Sequence, residues 1–196
     1  MEKIQITKTI KKFNEFSETE QETILDNYRN INLDFEDWND YILSDFIEEI
    51  KKETKLEIDT SDIIYSVGDR DSKFGVNSKD IINQLLVKFE DKGVYDINTT
   101  EKLGSFLNHR GGGICSQNHT EHDLAEVYFE DEDITDKQKK AITEEINTIL
   151  NSIIDLCSKY HNRNEESYNS LMNDESVKET IETNDYDFDI ETLKIY

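Results

Sequence analysis

The sequence predicts an α+β fold: a small, mainly antiparallel sheet packed with several helices, one of them a long C-terminal helix. Three observations lead there. Apolar residues recur at steps of three and four in 34–52, in 81–89 and in 142–160, the period of a helix that buries one face. Short stretches such as Ile63-Ile64-Tyr65-Ser66-Val67 and Ala125–Phe129 are rich in β-branched and aromatic residues and lie next to turn signals, as strands do. Proline is absent from all 196 residues, which suits long unbroken helices.

In chain order, Ile4, Ile6 and Ile10 alternate with polar residues and predict a first strand. Ser17 with Glu20 three residues later is a capping box that opens a helix with Ile24, Leu25 and Tyr28 inward. Residues 34–52 read as one amphipathic helix. Phe35, Trp38, Ile42, Phe46 and Ile50 form its stripe, acids surround it, and lysines fall at its end, where the helix dipole favours them. Leu56, Ile58 and 63–67 read as strand. A turn at Gly68-Asp69-Arg70-Asp71 precedes an extended piece through Phe74-Gly75-Val76. Asn77 or Ser78 caps a helix with Ile81, Ile82, Leu85, Leu86 and Phe89 inward, and Gly93 ends it. Residues 96–108 fit no single pattern; Thr99 or Thr100 is a candidate cap for a short helix through Leu103, Phe106 and Leu107.

Residues 109–129 predict a hairpin with Gly111-Gly112-Gly113 before its first arm and Ala125, Val127 and Phe129 in its second. Thr135 with Gln138 is a second capping box. It opens the long helix, whose stripe runs through Ile142, Ile146, Ile149, Leu150, Ile153, Leu156, Cys157 and Tyr160 and can extend to Met172. Asp174 is the candidate cap of a last helix around Val177 and Ile181, and 186–196 reads as terminal strand or hairpin arm. One domain over 1–196 is expected, with a soft point near 162–164.

Charge limits the function classes. The 45 acids outnumber 22 bases, for a formal net charge of −23. Such a chain repels nucleic acid and anionic membrane and is drawn to basic surfaces. Two cysteines, Cys115 and Cys157, make no disulfide framework. With no apolar run of membrane-spanning length and no apolar stretch near the N-terminus, a cytoplasmic protein is expected.

Chemistry-bearing residues are sparse. His109, Cys115, His119 and His122 cluster within 14 residues and include the donor types zinc takes, but no tight Cys-x-x-Cys pair accompanies them, and ordinary strand positions account for them better. Arg110-Gly111-Gly112-Gly113 lacks the Lys-Ser/Thr ending of a phosphate loop and reads as a glycine turn. Asp69, Arg70 and Asp71 have no nucleophile and base beside them. No catalytic residue, cofactor or metal set is therefore assigned. The acids are better organised. They gather in 34–52, in 121–136 with eight acids and no lysine or arginine, and in 165–191 with ten acids and one lysine. The candidate partner-binding residues are Glu36, Asp37, Asp40, Asp45, Glu48, Glu49, Glu126, Glu130, Asp131, Glu132, Asp133, Asp185 and Asp187.

Two stretches carry a family resemblance. Residues 16–66 hold a serine-containing cap, Tyr28-Arg29, an acidic segment centred on Trp38 and the Ile64-Tyr65 strand; residues 168–196 form the tail. Together they resemble a family of small phage and prophage proteins, some labelled antitoxins of toxin–antitoxin systems. Many of that family carry a Gln-Gly-Asp-Gly turn after the Ile-Tyr strand, where this chain has Val67-Gly68-Asp69-Arg70. The resemblance implies a phage context and an α+β fold, and transfers no catalytic residue.

These readings favour a phage-encoded acidic inhibitor of a basic, nucleic-acid-binding host defence protein, a CRISPR effector or restriction enzyme. It would present carboxylates as a nucleic acid presents phosphates. The alternatives are an antitoxin that neutralises a basic toxin, and a metal-dependent hydrolase or nuclease built on the 109–122 cluster.

Overall fold

The computed structural model describes residues 9–34, 37–68, 72–99, 113–115, 124–130 and 133–196. It is an α+β protein with small antiparallel sheets and a long C-terminal helix. The chain groups into two compact units, one of Met1–Trp38 with Glu166–Tyr196 and one of Asn39–Glu165. Among the described residues, no helix is long and apolar enough to cross a membrane.

The larger unit, Asn39–Glu165, holds most of the elements. Helix α2 spans Asp40–Thr54, strand β2 Ile63–Ser66, strand β3 Lys73–Asn77 and helix α3 Ser78–Phe89. Strands β4 (Val94–Thr99), β5 (Gly113–Cys115) and β6 (Ala125–Phe129) follow. Helix α4, Asp136–Leu171, begins here and runs on into the smaller unit.

Helix α2 begins later than its apolar period predicts. The stripe of Ile42, Phe46 and Ile50 is buried as expected, but the first turn closes on the Asn39 carbonyl, which accepts from the N–H of Ile42 and Leu43 at 2.9 and 3.1 Å. Asparagine favours such a flanking position over a helix interior because its side chain competes with the helical hydrogen bonds. Asp37 and Trp38 therefore sit in a turn, and Phe35 lies outside the described residues. At the other end Lys55 takes a left-handed conformation, φ 63°, and among the described residues 55–59 has no strand partner. Gln84 holds that segment instead: its amide donates to the Glu57 carbonyl at 2.6 Å and accepts from the Glu57 N–H at 2.8 Å.

Among the described residues, the two arms of the expected 109–129 hairpin, Gly113–Cys115 and Ala125–Phe129, do not pair with each other. Strand β5 pairs with β3, Ile114 opposite Val76, in the order β2-β3-β5; β6 pairs with β4, Ile97 opposite Val127, in a separate two-stranded sheet. Alternating apolar residues say which face of a strand is buried but not which strand it pairs with. Thr99 is the last residue of β4; the short helix expected after it, with Thr100, Leu103, Phe106 and Leu107, lies outside the described residues.

One core joins these pieces: Ile42, Phe46 and Ile50 from α2, Phe74 and Val76 from β3, Ile81, Leu85 and Phe89 from α3, and the α4 stripe from Ile142 to Tyr160. Buried Asn147 on α4 ties in β6, since its Oδ1 accepts from the N–H of Leu124 at 2.7 Å and of Ala125 at 3.1 Å. The thiol of Cys157 is buried and lies 3.6 Å from the Ile114 carbonyl.

In the smaller unit, strand β1 (Ile10–Lys12) pairs antiparallel with β7 (Asp187–Asp189), with Lys11 opposite Phe188. Of the expected first strand only Thr9 and Ile10 are described, and Ile10 opens β1; Ile4 and Ile6 lie outside the described residues. Helix α1, Glu18–Asn27, opens on its capping box: Glu20 accepts from the Ser17 N–H at 2.9 Å and from its hydroxyl at 2.6 Å. Helix α5, Asp174–Thr183, is capped by Asn173 and not by Asp174, because Asn173 Oδ1 accepts from the Ser176 N–H at 2.8 Å. Asp174 instead meets Arg29 at 2.8 Å, and Arg29 also holds Asp26 at 2.6 Å. Phe13, Phe16, Ile24, Val177, Ile181 and Phe188 form this unit's core.

Candidate acidic interface

The acids picked out by the sequence have different local fates. On α2, Asp45 meets Arg163 at 2.6 Å, and that guanidinium lies 5.5 Å from the ring centres of Tyr41 and Tyr160. Glu49 accepts from Lys159 at 2.6 Å and from the Tyr160 hydroxyl at 2.8 Å. Both carboxylates fasten α2 to α4. Asp40 and Glu48 are exposed and have no cation partner among the described residues. In the smaller unit, Asp185 and Asp187 share Lys12 at 3.1 and 2.9 Å, and Asp37 is exposed. The nearby Asp189 is buried and caps the terminal turn, accepting from the Glu191 and Thr192 N–H groups at 3.0 Å each. Asp37, Asp185 and Asp187 belong to one unit, and Asp40, Asp45, Glu48, Glu49, Glu126, Glu130 and Asp133 to the other.

A more coherent surface lies on the β4–β6 sheet. Val94, Ile97 and Ala125 point into the core, with Val127 and Phe129 packed against it. Strand alternation therefore turns Asn98, Glu126 and Tyr128 outward. An irregularity between Val94 and Asp96 breaks the alternation and brings both Tyr95 and Asp96 toward this side. The Tyr95 and Tyr128 rings lie 6.3 Å apart, and the two residues are 53% and 37% exposed. Tyr128 donates to Glu126 at 2.9 Å and Asn98 to Asp96 at 3.2 Å. The hydrogen bond to Glu126, reinforced by the charges of Glu126 and Asp96, raises the Tyr128 phenol above its ordinary range despite an opposing contact from Asn98. The hydroxyl thus stays a donor. Glu130 and Asp133 are exposed just beyond the strand. Cations are present too: Lys92 is paired to Glu145 at 2.8 Å, and Lys139 lies 5.8 Å over the Phe129 ring.

The face thus pairs two accessible aromatic rings with carboxylates, a combination suited to a partner that brings guanidinium or ammonium groups. Tyr95, Asp96 and Asn98 were not picked out from the sequence. Their signal was the run Val94 to Thr99, whose spacing of Val94 and Ile97 hides the strand because the irregularity shifts the period by one.

Comparison with protein-family models, curated proteins and solved structures found no match. Glu36, Asp131, Glu132, the 69–71 turn, Arg110-Gly111-Gly112, His109, His119 and His122 lie outside the described residues. Among the described residues, no group of three His, Cys, Asp or Glu side chains is placed to hold a metal ion.

The Glu49 pair has a pH signature. Hydrogen bonds from Lys159 and then Tyr160 hold its carboxyl below the ordinary value of 4.5. Burial, and then Glu49, push the Tyr160 phenol upward. A carboxylate depressed in the folded state contributes stability that is complete above its unfolded pKa and is lost as pH falls through the folded one. Glu49→Gln is therefore expected to lose about 1–2 kcal/mol at pH 7. The gap to the parent should close as the pH drops from about 5 to below 3. Urea unfolding of both proteins across that range measures it, and a gap that stays constant with pH contradicts the assignment.

Proposed function

We propose that the protein is an interaction protein that meets a basic, nucleic-acid-binding partner in the cytoplasm and occupies its nucleic-acid channel by polyanion mimicry. Host defence proteins such as CRISPR effectors and restriction enzymes are the partner class, in keeping with the phage context that the family resemblance implies. The observation that carries this reading is the β4–β6 face, where Tyr95 and Tyr128 stand exposed among Asp96, Glu126 and Glu130. A net charge of −23 adds long-range attraction for a basic channel. Carboxylates can stand in for phosphates in contacts to Lys and Arg, while exposed tyrosines add contact area that a phosphate backbone lacks.

The labelled protein, titrated against a panel of purified basic effectors and nucleases, tests this. Affinity for the cognate partner is expected to fall at least 100-fold, an order-of-magnitude figure, between 50 and 200 mM salt. The double variant Tyr95→Ala/Tyr128→Ala should weaken binding by roughly 30-fold, the scale of an interface hot spot. Binding that is flat with salt rules out mimicry. Toxicity of a small basic protein relieved by co-expression would move the partner from a defence protein to a toxin.

A further inference from the structure

A second surface of the larger unit has the opposite character. Where α2 ends, the chain turns at Lys55 and runs extended past α3, held by the paired hydrogen bonds between Gln84 and the Glu57 backbone. Lys88 reaches back from α3, and its ammonium donates to the Thr54 carbonyl at 3.4 Å. Between them lies a groove of about 490 Å³, lined by Lys55, Leu56, Asn83, Gln84, Val87 and Lys88. Val87 is 75% exposed, the most exposed large apolar side chain among the described residues. It does nothing for the core, since α3 buries Ile81, Leu85 and Phe89 on its other side. A lone exposed valine is unremarkable. Here it forms one wall of a groove, and the aliphatic stems of two lysines extend that apolar surface.

The rim is cationic in a strongly acidic protein. Neither Lys55 nor Lys88 has a carboxylate partner among the described residues, while the neighbouring Glu57 is committed to Lys51 at 2.7 Å. We propose that this groove docks a short acidic peptide segment of a partner protein, with one leucine-like side chain against Val87 and carboxylates reaching Lys55 and Lys88. Charge complementarity selects the occupant. Nucleic acid fits poorly, because no aromatic ring lines the groove to stack a base and the chain's net charge of −23 repels a long polyanion. A short segment answers only to the local field, because charges beyond a Debye length are screened. This proposal is independent of the β4–β6 reading.

The test uses the full ¹⁵N-labelled chain and a twelve-residue peptide of glutamates around a central leucine pair. Saturable shifts of the amides of 55–56 and 83–88 are expected. Val87→Glu, and separately the double variant Lys55→Glu/Lys88→Glu, should each weaken binding at least tenfold; so should replacing the peptide's leucines by serine. All altered residues lie at the surface, and unchanged circular dichroism verifies that the variants fold. The proposal is overturned if the shifts are absent or fall elsewhere, or if Val87→Glu binds as the parent does. It is also overturned if an oligouridylate moves the same amides more strongly, which assigns the groove to nucleic acid. Concentration-dependent self-association abolished by Val87→Glu overturns it in favour of a second copy of the chain.

Discussion

Phe46→Ala is expected to lower the unfolding free energy of the larger unit by about 3–5 kcal/mol. Phe46 is fully buried on α2 and meets two other rings edge-on: Phe74 of β3 at 4.9 Å and 88°, and Tyr160 of α4 at 5.1 Å and 62°. The Phe74 and Tyr160 rings are themselves 6.2 Å apart. Removing the central ring leaves a cavity bounded by three elements, and Tyr160 is tethered by its hydroxyl to Glu49, which limits how far the gap can collapse. Cavity cost depends on that collapse, so the loss should lie toward the upper end of the range. Phe46→Leu, which keeps most of the volume, should lose far less. Denaturant unfolding with hydrogen exchange of the α2 and α4 amides measures both. Equal losses for the two variants would show that the ring contacts do not matter.

Phe188→Ala is expected to cost the smaller unit about as much, roughly 3–5 kcal/mol. Phe188 is fully buried on β7 and is approached edge-on by Phe16 at 6.2 Å and Tyr28 at 5.8 Å. Its backbone also sits between Lys11 of β1 and the terminal bridge to Ile195. Among its described residues the unit has few other large buried side chains to compensate. Trp38, the chain's single tryptophan, belongs to this unit and lies 6.3 Å from Tyr168. Its fluorescence therefore follows unfolding of this unit. A tryptophan transition unmoved by Phe188→Ala would mean that the β1–β7 cluster does not support its surroundings.

The two capping boxes show what was legible in the sequence. Ser17 with Glu20 and Thr135 with Gln138 form as the spacing predicts, the second with Gln138 accepting from the Thr135 N–H at 3.0 Å. Each is a contact over three residues. The long helix likewise follows from its stripe, and its run past Tyr160 to Leu171 follows from the lack of any proline or glycine to stop it. The 34–52 segment was half legible: Ile42, Phe46 and Ile50 are inside, while Asn39 resets the start. In the 34–52 and 165–191 clusters, exposed carboxylates mix with ones that hold the fold, and spacing along the chain does not separate them.

Helix positions, the apolar face of each element and the large negative charge were therefore determined by the sequence alone. They depend on neighbours three or four residues away, or on a sum over all residues. Which strands pair, and which carboxylates remain exposed, only the tertiary structure decided. Strand β6 finds β4 and not β5, and Asp45 finds Arg163 across more than a hundred residues. Such choices depend on what the folded chain brings alongside, and the pattern of one segment cannot encode the pattern of its partner.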